Sequence, residues 1–359
     1  MLIKINMLIK SKQLFLQALF TSILLTACTQ ENSANEDSQS QVSHEMNSSN
    51  EIKADLVLQR ADPWVHRTKT GHYYFTGSVP EFDRIILRES ATIEGLRDAQ
   101  EKVIWRKNDS GPMSVNIWAP ELHHIDGDWY IYFAAGDIDK PFSIRMYALK
   151  NSSADPMKGE WLEAGRVETA RDTFSLDATS FTHGGKRYLV WAQQDDARSY
   201  NTGLVLAELK TPLQVGEKEV YITEPLLDWE RLGYKVNEGA AVLKRNGKIF
   251  IAYSASATDH RYGMGLLWTD ENSDLLDANS WHKLPEPVFT TNEALKRYGP
   301  GHNSFTIAED GVTDIMIYHA RDYLKLQGTP LTDGNRHARF RKITWSANGF
   351  PEFNNELSD

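Results

Sequence analysis

Four ionisable side chains stand at matching places in a repeating sequence. Asp62, Asp177, Glu238 and His302 each lie eight or nine residues before a glycine that opens an aromatic run. In the remaining copy the matching place is Trp118 or Ala119. Carboxylates brought to one point repel each other unless they share a proton or a cation. Each acid has apolar neighbours that would tune its pKa, as in Ala61-Asp62-Pro63-Trp64, Leu176-Asp177-Ala178 and Glu238-Gly239-Ala240. Two carboxyl groups flanking a sugar can hydrolyse a glycosidic bond. One protonates the leaving oxygen and the other activates a water on the opposite face, with inversion. The acid then needs a raised pKa, which a neighbouring carboxylate can supply.

The repeat dictates the elements that position these groups. Gly71, Gly127, Gly185, Gly247 and Gly311 each lead an alternating strand, such as Trp129-Tyr130-Ile131-Tyr132-Phe133 and Lys248-Ile249-Phe250-Ile251-Ala252-Tyr253, and they are 56, 58, 62 and 64 residues apart. Asp126-Gly127, Gly184-Gly185 and Asn246-Gly247 suit tight hairpin turns that need positive φ. The strands are aromatic and β-branched. Helical periodicity is weak, with short turns expected only near 90–100 and 292–297. Five units of roughly 60 residues, the chain a four-stranded blade with loops requires, predict an all-β fold: a five-bladed β-propeller in a single domain. A two-sheet sandwich would not explain equal spacing sustained five times. In a propeller the innermost strands line the central channel, so equivalent residues at their starts converge at one end of the axis. Trp64 and Trp118, near those starts, offer flat faces for a sugar. Arg321, after Tyr318-His319-Ala320, is expected to end a strand near the axis and to reach substrate hydroxyls.

The chain carries 39 Lys and Arg against 49 Asp and Glu, a formal charge of −10, which excludes phosphate neutralisation and so nucleic acid. Lys4, Lys10 and Lys12 precede an apolar stretch ending in Leu25-Thr26-Ala27-Cys28, the sole cysteine. That is the anatomy of an export signal. It resembles a bacterial lipobox, which implies lipid attachment at Cys28 and, in a Gram-negative host, an outer-membrane address. Residues 29–53 are too polar to offset their ordering entropy and read as a tether. The expected organisation is a signal at 1–28, a tether at 29–53 and a propeller at 54–359. Membrane contact would then be through the lipid alone.

Taken in order, Ala61-Asp62-Pro63-Trp64, Trp118-Ala119-Pro120-Glu121, Ser175-Leu176-Asp177-Ala178, Asn237-Glu238-Gly239 and Gly299-Pro300-Gly301-His302-Asn303-Ser304 resemble glycoside hydrolase family 43. The resemblance runs from Asp55 to about Phe353. It implies Asp62 as general base, Glu238 as general acid, and Asp177 as the third acid that orients Glu238 and raises its pKa. It implies that His302 stands near a metal in the central channel, a structural calcium, and that no organic cofactor is needed. Glu121, three residues past its aligned place, is expected to be structural. The stretches from Ala61 to Arg88 and from Arg339 to Trp345 look most like α-L-arabinofuranosidase members acting on arabinan or arabino-oligosaccharides, with β-xylosidases of the family as the alternative. No appended sugar-binding module is expected. A glycan-binding propeller without turnover and a calcium-stabilised scaffold are the readings from other classes. Sequence leaves open the preferred pentoside, the oligomeric state, and exo against endo action. The last depends on loops near 79–90, 107–117 and 255–265.

Overall fold

The apolar runs after the turn glycines are hydrophobic on both faces, because each sheet is covered on both sides by its neighbours. Successive side chains of a strand point to opposite faces. Tyr130 and Tyr132 accordingly pack with Leu189, Trp191 and Val205, while Ile131 and Phe133 pack with Ile85, Leu87 and Leu149. Ile249 and Ile251 join Val190 and Leu206, and Phe250 and Ala252 join Met316 and Tyr318. A fifth cluster unites Phe75 and Ile86 with Ile315 and Ile317. The buried hydrophobic residues thus form one cluster per interface between blades. Each fully buried large side chain contributes about 1.5–3 kcal/mol.

The computed structural model describes residues 55–359. The expected signal with Cys28 and the expected tether lie outside the described residues. Five four-stranded antiparallel sheets form the blades. Their inner strands are Ala61–Arg67, Val115–Ile125, Ser175–His183, Asn237–Arg245 and Tyr298–Ile307. Each inner strand packs on the next, and the fifth packs on the first, so the ring closes. Closure uses the two ends of the described chain: Asp55–Val57 pairs with His337–Lys342 and becomes the outer strand of the fifth blade.

The two-residue turns fall where the glycines predict. Asp126 and Gly127 have φ of 52° and 93°, and Asn246 and Gly247 have 53° and 72°, as a right-twisted hairpin requires. The 3-10 turn at Glu94–Leu96 matches one expected helical turn. At 292–297 the expectation fails: Asn292 and Arg297 form an antiparallel bridge around a turn. Two further 3-10 turns, Asp228–Arg231 and Ala278–Ser280, escaped the sequence reading.

Candidate active site

Every inner strand carries a β-bulge near its start, and the bulges build the site. The ladder register slips after Ala61, Trp118, Leu176, Glu238 and Gly301. The next residues, Asp62, Ala119, Asp177, Gly239 and His302, all have left-handed φ, between 43° and 58°. Bulges bend a strand and re-aim its side chains, and they concentrate beside active sites. Left-handed φ is costly for residues other than glycine, so the four non-glycine cases in register mark an imposed geometry. This corrects the repeat alignment. Glu238 does not occupy the place of Asp62 and Asp177; it lies one residue earlier, level with Trp118 and Leu176. The place itself is Gly239, where an added Cβ would meet the His302 ring at 3.0 Å.

A bulge frees its backbone N–H from the ladder, and that donor must be satisfied elsewhere. In four blades a side chain of the preceding blade accepts it. His319 Nδ1 accepts from Asp62 at 3.0 Å, and Ser78 Oγ from Ala119 at 2.8 Å. Ser254 Oγ accepts from His302 at 2.7 Å, and Asp177 Oδ2 from Gly239 at 2.9 Å. Ser78, Ser254 and His319 each stand opposite the residue before a bulge. The corresponding residue of the third blade is Ala192, and there Asp177 itself serves. The acids are therefore built into the seams of the ring.

Asp62 is buried among donors. Ser78 Oγ donates to its Oδ2 at 2.6 Å. Arg336 Nη1 reaches its Oδ1 at 3.2 Å, and His302 Nδ1 lies 3.3 Å from the same oxygen. Burial alone would raise its pKa; Arg336, with His302 and Ser78, outweighs that and holds it well below the usual carboxylate range. His319 takes the Asp62 amide on Nδ1, so it is a neutral ring protonated at Nε2. Burial also pushes its pKa well down.

Glu238 has the opposite surroundings. Burial, and the charge of Asp62, lift its pKa to about 7, against the pull of the Tyr262 hydroxyl and Arg336. Tyr262 Oη donates to Glu238 Oε1 at 2.9 Å and stacks on His319 with ring centroids 5.8 Å apart. Asp177 is driven well up by burial and then by Glu238 and Asp62. One carboxylate kept ionised and another kept protonated near neutral pH is the division of labour that acid–base hydrolysis requires.

These groups open into one cavity of about 460 Å³. Asp62, Asp177, Glu238, His302 and Arg336 line it, under walls that include Phe82, Trp118 and Tyr234. Trp118 stands in the wall as expected, edge-on to Phe82 at 5.9 Å. The loops near 79–90 and 255–265 supply Phe82, Thr258 and Tyr262.

Two expected sugar contacts are elsewhere. Trp64 does not line the cavity: its Nε1 donates to Leu122 O at 2.8 Å and its ring packs on His123, between the first two blades. Arg321 ends its strand as predicted but is buried, and its guanidinium donates to Thr258 O, Pro330 O and Asp333 O. It braces the loop that carries Arg336. Glu121 is buried against His123 at 3.0 Å, a structural placement. Sequence reasoning missed Arg336, Ser78, Tyr262 and His319. Ser78, Ser254 and His319 share a register position, but the pairing that reveals it is not visible without the sheet.

The donors around His302 do not fit a calcium cage at the carboxylates. Calcium takes six to eight oxygens. Asp62 faces a guanidinium and two imidazoles instead, and His302 Nδ1 is turned to Asp62 and Asp177. Among the described residues the one cluster of metal-ligand type is Asp55, Asp322 and His337, and Arg339 bridges its two carboxylates.

The profile described as "Glycosyl hydrolases family 43" matches residues 56–351. The chain is 49% identical over 304 residues to the "Extracellular exo-alpha-(1->5)-L-arabinofuranosidase" of Streptomyces avermitilis, covering 85% of this chain and 63% of that protein. It is 54% identical over 275 residues to the protein of that name from Streptomyces chartreusis, covering 77% of this chain and 84% of the other. The crystal structure of an alpha-L-arabinofuranosidase from Lactobacillus brevis aligns with a TM-score of 0.80 at 49% identity, over 83% of this chain and 94% of that one.

Proposed function

The chain belongs to glycosyl hydrolase family 43, and from that premise we propose that it is an inverting exo-α-L-arabinofuranosidase acting on arabinan or arabino-oligosaccharides. The observation that carries this reading is the opposed tuning of two carboxyls in one cavity, Asp62 held down and Glu238 held up near 7. Arabinose as the sugar is supported by the names of the relatives at 49% and 54% identity.

Asp62, ionised, takes a proton from a water whose oxygen bonds to the anomeric carbon as the glycosidic C–O bond breaks. Glu238, protonated, gives its proton to the leaving oxygen. Asp177 fixes the backbone beside Glu238 through the Gly239 amide. Arg336 and His302 hold the Asp62 carboxylate in one orientation, and Trp118 offers a face to the sugar. Comparing turnover of nitrophenyl α-L-arabinofuranoside, nitrophenyl β-D-xyloside and linear arabinan tests the reading. Faster turnover of the xyloside would replace it with a β-xylosidase.

We infer also that the chain is exported and lipid-anchored through Cys28. Two of its relatives are called extracellular, and Leu25-Thr26-Ala27-Cys28 has the lipobox pattern. Metabolic labelling with palmitate tests this; label persisting in Cys28→Ala would refute it.

A further inference from the structure

Asn237 directly precedes Glu238, and each of its polar groups is engaged. Its N–H donates to Thr202 O at 3.0 Å, and its carbonyl accepts from Thr202 Oγ1 at 3.2 Å. Its Oδ1 accepts from Thr223 Oγ1 at 3.0 Å and Lys283 Nζ at 3.4 Å. Its Nδ2 donates to Glu230 Oε1 at 3.0 Å. Glu230 is fully buried and is itself held: Tyr253 Oη donates at 2.8 Å, Lys283 Nζ lies at 2.5 Å, and Leu227 N donates to Oε2 at 2.9 Å. Neither Glu230 nor Lys283 lines the cavity.

On the other side of Glu238, the Gly239 amide is held by Asp177 Oδ2 at 2.9 Å. The acid therefore sits on a backbone clamped from both flanks, while its own carboxyl has the Tyr262 bond at 2.9 Å. A pair between half-buried Lys283 and buried Glu230 contributes little net stability, because desolvation offsets the attraction. The cluster instead concentrates its bonds on one asparagine beside the reacting group.

We propose that Glu230 is a positioning residue for the general acid, acting on Glu238 through Asn237. This rests on the reading of Glu238 as the acid. Proton donation needs the acid within about 2.6–3.2 Å of the leaving oxygen, and a displacement of about 1 Å can cost about 100-fold in rate. A displaced acid hurts a substrate in proportion to how much its leaving group needs the proton. An arabinosyl alkoxide needs it; a dinitrophenolate does not.

The test measures kcat and KM on arabinotriose and on dinitrophenyl α-L-arabinofuranoside for Glu230→Gln, Thr223→Val and the double variant Glu230→Gln/Lys283→Met. The double variant leaves no half-buried lysine without its partner, so it and Thr223→Val carry the test if Glu230→Gln does not fold. The clamp predicts kcat on arabinotriose lower by about 10–100-fold, kcat on the aryl substrate within about 3-fold of wild type, and KM little changed. Equal losses on both substrates, or wild-type kcat on both, would overturn it. Glu238→Gln is the control for the underlying assignment. If it shows no contrast between the two substrates, the acid itself is misassigned, a result separate from failure of the clamp.

Discussion

Asp177 Oδ2 accepts the backbone N–H of Gly239 at 2.9 Å. The third carboxyl thus grips the residue after the acid and holds the backbone from which Glu238 projects. An amide at position 177 keeps an oxygen for that N–H, and the carboxyl it replaces is itself driven well up by burial, Glu238 and Asp62. Asp177→Asn should therefore fold normally and leave the alkaline limb of the pH–rate profile, which burial and the charge of Asp62 set, little moved. A circular dichroism melt with the pH profile checks both parts.

The two tuned carboxyls set the whole pH profile. Glu238 must be protonated, so activity falls as pH rises through about 7. Asp62 must be ionised, and its pKa lies well below the usual range, so the acid limb falls below about pH 4. The plateau between them is measured by kcat/KM against pH.

Stability should follow the same group in the opposite sense from an ordinary paired carboxylate. The folded pKa of Glu238 is raised to about 7 from 4.5, so the folded state binds more protons between those values. Stability then falls as pH rises through that window. Glu238→Gln removes the penalty, and its Tm should exceed that of wild type at pH 8 but not at pH 4.

Ser78 bridges two blades: it donates to Asp62 at 2.6 Å and accepts from Ala119 N at 2.8 Å. Ser78→Ala leaves a buried amide unpaired, at a cost of about 1–3 kcal/mol. It should also raise the pKa of the acid limb, because one stabilising donor to the carboxylate is gone. Chemical denaturation and the pH profile separate these effects.

Trp64 is structural. Trp64→Phe loses the bond to Leu122 O and should cost about 1 kcal/mol of stability, with kcat/KM on arabino-oligosaccharides unchanged.

The ring was legible because its signal is local and repeated. Turn glycines and two-faced apolar strands recur five times, and they gave the blade count, the turns and the convergence of Asp62, Asp177, Glu238 and His302. What stayed hidden depends on register. The bulge inserts one residue at a place sequence does not mark, so counting from the glycines put Glu238 level with Asp62, one residue off. Arg336 sits outside the repeat, on a loop held by buried Arg321, and nothing periodic points to it. Trp64 and Arg321 were chosen for residue type near the channel. Type does not tell which face of a strand a side chain takes or what it already bonds.

The central claim is that Asp62 and Glu238 divide the work of base and acid. Its most direct test is kcat for Asp62→Asn and Glu238→Gln, each on arabinotriose and on dinitrophenyl α-L-arabinofuranoside. Loss of the base should depress both substrates alike, by a factor of about 10²–10⁴. Loss of the acid should depress arabinotriose by a similar factor and leave the aryl substrate within about 10-fold of wild type. Near-normal turnover of arabinotriose by either variant, or the reverse pattern between the two, would contradict the assignment.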